Sequence, residues 1–159
     1  MEKNGTAQQP GASAQISFAL YGAASRMIRM HKPFLEPMGL TFPQYLVMLE
    51  LFGEAPRTVG DIGNVLGMDT GTITPVLKRM EKAGLVTRRR DLADERRVMI
   101  DLTDAGAALR VEALGVSGKI QSACQLSDRD LAQLRDALNG FAHPAERESL
   151  SVGEAIGAS

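Results

Sequence analysis

Eight basic side chains crowd into twenty residues of this sequence: Lys78, Arg79, Lys82, Arg88, Arg89, Arg90, Arg96 and Arg97. Four acids share that window (Glu81, Asp91, Asp94 and Glu95), so it carries +4 while the remaining 139 residues carry −5 and the whole chain −1. Just upstream stand Thr70, Gly71, Thr72 and Thr74, short residues that donate and accept hydrogen bonds. Cations beside small hydroxyls suit contact with a polyanion such as nucleic acid. Taken alone, the same residues would equally serve as a solvated face and a set of helix caps. The elements that carry them decide between the two.

Those elements read as mostly helical. Ser13 is placed to cap a first helix to about His31, in which Ile16, Leu20, Ala23, Ala24, Met27 and Ile28 recur at three- and four-residue steps. Pro33 and Pro37-Met38-Gly39 are expected to break it. Thr41-Phe42-Pro43-Gln44 has the form of a capping box, and the helix after it, to Phe52, is apolar nearly all round and should be buried. Thr58 begins a short helix over Val59–Leu66, ended by Gly67, and Asp69 caps another that stops at Gly84. Two short helices joined by Gly67-Met68-Asp69 form a helix-turn-helix pattern. In the second, Ile73, Val76, Leu77 and Met80 share one side, leaving the threonines, Lys78, Arg79 and Lys82 for the other.

Beyond it, residues 85–90 and 97–102 are strand-like, and the polar segment 91–96 between them is a turn. This is a β-hairpin directly after a helix-turn-helix, that is, a wing. Thr103 then caps a long helix to about Cys124, with a bend expected near Gly115 or Ser117-Gly118, and Ser127 caps a last one to about Gly140.

The second helix of the pair fits the major groove of B-DNA, with Thr70, Thr72 and Thr74 near base edges and Lys78, Arg79 and Lys82 on phosphates. Arg88 and Arg97 flank it on the hairpin. Arg96, at the hairpin tip, is suited to the minor groove, and Asp94 two residues before it can hold the guanidinium by a charge-assisted hydrogen bond.

Three stretches carry a resemblance: LTFPQYLVMLELF (Leu40–Phe52), MDTGTITPVLKRMEKAGLVTRRR (Met68–Arg90) and DERRVMIDLTDAG (Asp94–Gly106). Together they resemble the MarR family of winged-helix regulators, and within it the organic-hydroperoxide resistance regulators, over roughly Ile16 to Leu138. The resemblance implies a homodimer joined through N- and C-terminal helices that binds a pseudopalindromic operator in double-stranded DNA and represses transcription. It makes Asp94 and Arg96 the family's Asp-x-Arg wing motif. The expected fold is mainly α with a small β-hairpin: a mobile arm (1–13), N-terminal helices (14–53), a winged helix-turn-helix domain (54–103), C-terminal dimerisation helices (104–142) and a flexible tail (143–159).

The same resemblance places a reactive cysteine just before the Phe18-Ala19-Leu20-Tyr21 sequence, where this chain has Ser17. Of two tyrosines that accompany such a cysteine, Tyr21 matches one and His31 stands at the other; a second cysteine falls on Ser122, two residues before Cys124. A thiolate attacks a peroxide and becomes a sulfenic acid, whereas serine has no such oxidation ladder. Ser17 is therefore either a replacement that traps the reduced form or the mark of a relative tuned to another signal, such as a small-molecule ligand; a third reading makes Cys124 a lone redox sensor, against the usual inertness of a buried helical cysteine. His31 is read either as packing at a helix end or as part of a ligand pocket with Tyr21, Phe42 and Tyr45.

Composition closes off other classes. One cysteine and two distant histidines, His31 and His143, signal no disulfide framework and no metal site. No apolar run approaches the roughly 20 residues of a membrane span, and the polar start lacks a signal peptide, so a cytoplasmic protein is expected. With no tryptophan and 4% aromatics, base stacking is not the expected binding chemistry. Gly60-x-x-Gly63-x-x-x-Gly67 is not a phosphate-loop spacing, no nucleophile and base are paired, and no cofactor is implied. Beside the DNA-binding reading stands a protein-interaction module built on the same winged helix.

Overall fold

The structure, a computed structural model, describes Gly11 and residues 15–142. The arm (apart from Gly11), the Ser13 cap and the tail with His143 lie outside the described residues. Two compact bodies divide the chain, one through Ile120 and the other from Gln121 onward.

In the first body, α1 (Ile16–Leu35) leads through a 3-10 turn (Glu36–Met38) into α2 (Phe42–Gly53). Pro33 does not break α1, contrary to the sequence expectation. The ring sits two residues from the helix end, where it removes one N–H, and the last turn still closes through the Glu36 N–H to the Lys32 carbonyl. Helix α2 begins in the expected capping box, with the Gln44 side chain accepting from the Thr41 N–H at 2.8 Å. Val47, Met48, Leu51 and Phe52 make it the centre of the core.

Strand β1 (Arg57–Thr58) runs into α3 (Val59–Leu66), where the Thr58 hydroxyl accepts from the Asp61 N–H at 3.0 Å. Gly67 turns the chain at φ 63°, a left-handed conformation that a side chain resists, and α4 (Thr70–Lys82) follows at once. Strands β2 (Val86–Arg90) and β3 (Val98–Leu102) form the hairpin. The expected two strands prove to be three, in the order β1-β3-β2, all antiparallel, because Arg57 pairs with Ile100 and Thr58 with Met99. An ion pair of 2.6 Å between Arg57 and Glu50 ties β1 to α2.

The expected long helix from Thr103 is two: α5 (Asp104–Ala108) and α6 (Arg110–Ala123). The break falls at Leu109, whose N–H bonds back three residues to Gly106, and not at Gly115 or Gly118, which lie within the continuous α6. Gly106 itself is held against the Leu85 carbonyl, where a Cβ would collide. Residues Ala113, Val116 and Ile120 of α6 are buried. The second body holds the end of α6 and α7 (Asp128–Ala142), capped by the Ser127 hydroxyl and with none of its residues buried.

Candidate nucleic-acid interface

Helix α4 is fixed from below by Ile73, Val76, Leu77 and Met80, all 5% exposed or less. At about 100° per residue, that buried stripe sends Gly71, Pro75, Lys78 and Lys82 straight outward. Thr72 and Arg79 lie on one flank; Thr70 and Thr74 lie on the other, which faces the hairpin. The expected threonine set is therefore split between two flanks, and Gly71 and Pro75 occupy the middle of the outer face. The sequence reading groups Gly71 with the threonines and gives Pro75 no part in the contact, although the helical period was enough to place both at the middle of this face. Their small outline lets the backbone of the helix approach a groove floor closely.

The helix start is set by Asp69, whose carboxylate accepts the Thr72 N–H at 2.7 Å. Hydrogen bonds from Thr72, its side chain first and its N–H next, hold the Asp69 carboxyl below the usual aspartate range. At the start of α3 a hydrogen bond from the Thr58 side chain does the same for Asp61, with smaller help from the charges of Arg97 and Arg57.

On the hairpin, Asp94 and Arg96 meet as expected. The Asp94 carboxylate accepts from the Arg96 N–H at 3.1 Å and from its Nε at 3.3 Å, while the Arg96 side chain stays 94% exposed. A second aspartate turn precedes it, with Asp91 accepting from the Ala93 N–H at 2.9 Å. The tip is thus a fixed mount for one extended guanidinium, with Leu92 fully exposed beside it.

Arg88 differs from the outward cation the sequence suggested. It lies two residues from buried Val86 and opposite buried Ile100, so it faces inward, 3.4 Å from Glu81 of α4. Arg97 is exposed and 3.9 Å from Asp91. Thr58 and Gly60 join these residues beside the hairpin through the pairing of β1 with β3, for which the sequence holds no local signal.

Of the residues read as a sensor, Ser17, Tyr21 and His31 do not gather as a set. Ser17 and Tyr21 are exposed on the first turns of α1, with Tyr21 75% exposed. His31, ten residues on, is buried; its Nδ1 donates to the Met27 carbonyl at 2.8 Å, and its ring meets Phe42 at 4.8 Å and Tyr45 at 5.6 Å. Burial pushes the Tyr45 phenol up. Cys124, half-buried, belongs to the second body. Beside this cluster a groove of about 330 Å³ runs along the end of α1, walled by Ile28, Leu35, Leu40 and Phe42 with Arg29 and Lys32 at its edge. Among the described residues there is no cluster of metal-binding side chains, and no helix is long and apolar enough to cross a membrane.

A helix-turn-helix followed by a hairpin with a mounted arginine defines the winged-helix class of DNA-binding protein. The family description "Transcriptional regulator SarA/Rot" matches residues 29–111, just over half of the chain. The chain is 44% identical over 124 residues to the organic hydroperoxide resistance transcriptional regulator of Bacillus subtilis, covering 78% of this chain and 84% of that one. Among solved structures, overoxidized AbfR bound to DNA superposes with a TM-score of 0.69 at 31% identity, over 82% of this chain and 93% of that one. CouR from Rhodococcus jostii bound to p-coumaroyl-CoA gives 0.72 at 26%, over 83% and 94%. The chain belongs to the SarA/Rot-type, MarR-family winged-helix transcriptional regulators.

Proposed function

We propose that this protein is a homodimeric, sequence-specific repressor, working in the cytoplasm, that leaves its operator in response to a chemical signal. The observation that carries the reading is the pairing of α4, with its open outer face, and Arg96, extended from its Asp94 mount. In use, α4 enters the major groove; Thr72 and the exposed backbone at Gly71 reach base edges, Lys78, Arg79 and Lys82 hold phosphates, and Arg96 enters the adjacent minor groove. Two copies meet through the exposed apolar side chains Ile16, Phe18 and Tyr21 of α1 and through Leu134, Leu138 and Phe141 of α7.

The signal does not act by oxidation at residue 17, where a hydroxyl stands in place of a thiol. The groove beside Phe42 favours a second kind of signal, an organic anion whose apolar part lies on Ile28 and Leu40 and whose charge meets Arg29, since Lys32 is paired with Glu36 of the same lining at 3.5 Å.

The test is enrichment of a duplex from random sequence, followed by mobility shift of the Arg96→Ala variant. We expect roughly 10- to 100-fold weaker binding to the enriched duplex, an unchanged dimer in sedimentation, and affinity that falls steeply with salt. If no sequence is enriched, or affinity ignores salt, the protein-interaction reading replaces this one. Unchanged affinity in Arg96→Ala removes the hairpin from the interface.

A further inference from the structure

Between the first turns of α4 and the hairpin lies a cleft of about 460 Å³. Thr70 and Thr74 form one wall and Arg96 and Arg97 the other, while Arg88, Val98 and the Thr58–Gly60 start of α3 complete its lining. No acidic residue is part of that lining, although three arginines are. Each arginine has an acid near it: Glu81 for Arg88 at 3.4 Å, Asp94 for Arg96 at 3.3 Å and Asp91 for Arg97 at 3.9 Å, with the Asp61 carboxylate of α3 also within the field of Arg97. These contacts are long and partly exposed, so they orient the guanidiniums without saturating their donors. The Nε of Arg88 is buried and makes no hydrogen bond at all. An unpaired buried donor on a charged group is costly and calls for an acceptor.

We infer that this cleft is the seat of one backbone phosphate of the bound duplex, the phosphate at which the strand crosses between the two grooves. The inference rests on the DNA-binding reading above and adds to it a site that includes Thr58, Gly60 and the inward Arg88. In a duplex every groove is bounded by a strand, so a protomer with α4 in the major groove and the Arg96 tip in the neighbouring minor groove straddles one backbone. The straddled strand has to pass where the helix and the hairpin part, and that place is the cleft. A phosphodiester there meets Arg97 from one side and the Thr70 hydroxyl from the other. At its floor stand Arg88 and the Thr58–Gly60 segment that leads into α3. Arg88 reads no base in this arrangement; with Glu81 holding it, it sets how far the hairpin stands from α4 when the strand is seated.

The experiment uses the full chain and a duplex enriched against it from random sequence, prepared as a series with one phosphate at a time replaced by an uncharged methylphosphonate. Affinity of wild type, Arg97→Gln and Arg88→Gln is measured at one salt concentration, and melting curves report whether each variant is folded. We expect one position per half-site, at the edge between the two grooves, where neutralisation weakens wild-type binding roughly ten-fold. Arg97→Gln should bind the unmodified duplex roughly ten-fold weaker and lose little more at that one position, while remaining sensitive everywhere else. Its salt slope should fall by about 0.9. Arg88→Gln, where folded, should show the same coupling. A flat scan at that edge, or penalties that simply multiply between Arg97→Gln and the neutral position, overturns the inference and leaves the function standing. A chain that enriches no duplex overturns both.

Discussion

The α4–hairpin region and the outer helices use apolar residues in opposite ways. Under α4, Ile73, Val76, Leu77 and Met80 are sealed against the chain's own core, and no large apolar side chain of that helix is left exposed. On α7, by contrast, no residue is buried, and Leu134, Leu138 and Phe141 are 40–70% exposed. The start of α1 is similar, with Ile16, Phe18 and Tyr21 all more than half exposed. One region is finished within a single chain; the other presents a surface that a second copy would complete. A reader of DNA has reason to be built this way. In the proposed dimer, the spacing of two recognition helices would be set by one interface, and a signal acting there would move both reading heads without unfolding either.

The sharpest way to break this contrast is to charge the outer helix. Leu134→Glu combined with Leu138→Glu should leave the helical spectrum intact, give a monomer in sedimentation, and weaken binding to a two-half-site duplex on the order of a thousand-fold. A variant that remains dimeric removes α7 from the interface. Next comes the same truncation made in both regions. Leu77→Ala opens a cavity under α4 and should cost about 2–5 kcal/mol in denaturant unfolding, whereas Leu138→Ala should instead make the melting temperature more dependent on protein concentration. Equal, concentration-independent losses would erase the distinction.

A smaller effect tests the cap of α4. Because the folded state holds the Asp69 carboxyl below its ordinary value, its contribution is present above the unfolded pKa of about 3.9 and fades as pH falls through the folded value. Asp69→Ala should therefore melt earlier than wild type at neutral pH and converge with it in strong acid. A difference that persists unchanged into acid assigns the loss to something other than the carboxylate. The smallest expected effect is none: Ser17→Ala should leave the DNA affinity measured with cumene hydroperoxide present unchanged. Peroxide-driven release that survives Cys124→Ala would point to a further oxidisable group.

Much of the reading head was legible along the chain because its features are local. The Asp69 cap, the left-handed turn at Gly67, the four-residue stripe beneath α4 and the Asp94–Arg96 bond each join residues within a few positions of one another. What could not be read involves partners far apart in sequence. Two residues, Arg57 and Thr58, are too short a strand to show a period, yet they complete a sheet by pairing with Met99 and Ile100. Arg88 looks like any exposed cation until its register opposite Ile100 turns it inward toward Glu81. His31 finds Phe42 and Tyr45, rather than Tyr21, only once α1 continues through Pro33 and α2 folds back on it.

By itself, then, the sequence determined where α2, α3, α4, α5 and α7 are capped, which side of α4 is apolar and which arginine its aspartate would steady. Hydrogen bonds and helical periodicity act over one or two turns, so residue types alone carry them. Tertiary structure alone decided that three arginines share a cleft with the start of α3, and that the long C-terminal helix breaks at Leu109 just past the glycine held against Leu85. Such arrangements depend on the exclusion of water from surfaces brought together across tens of residues, a force that is not directional and leaves no local mark.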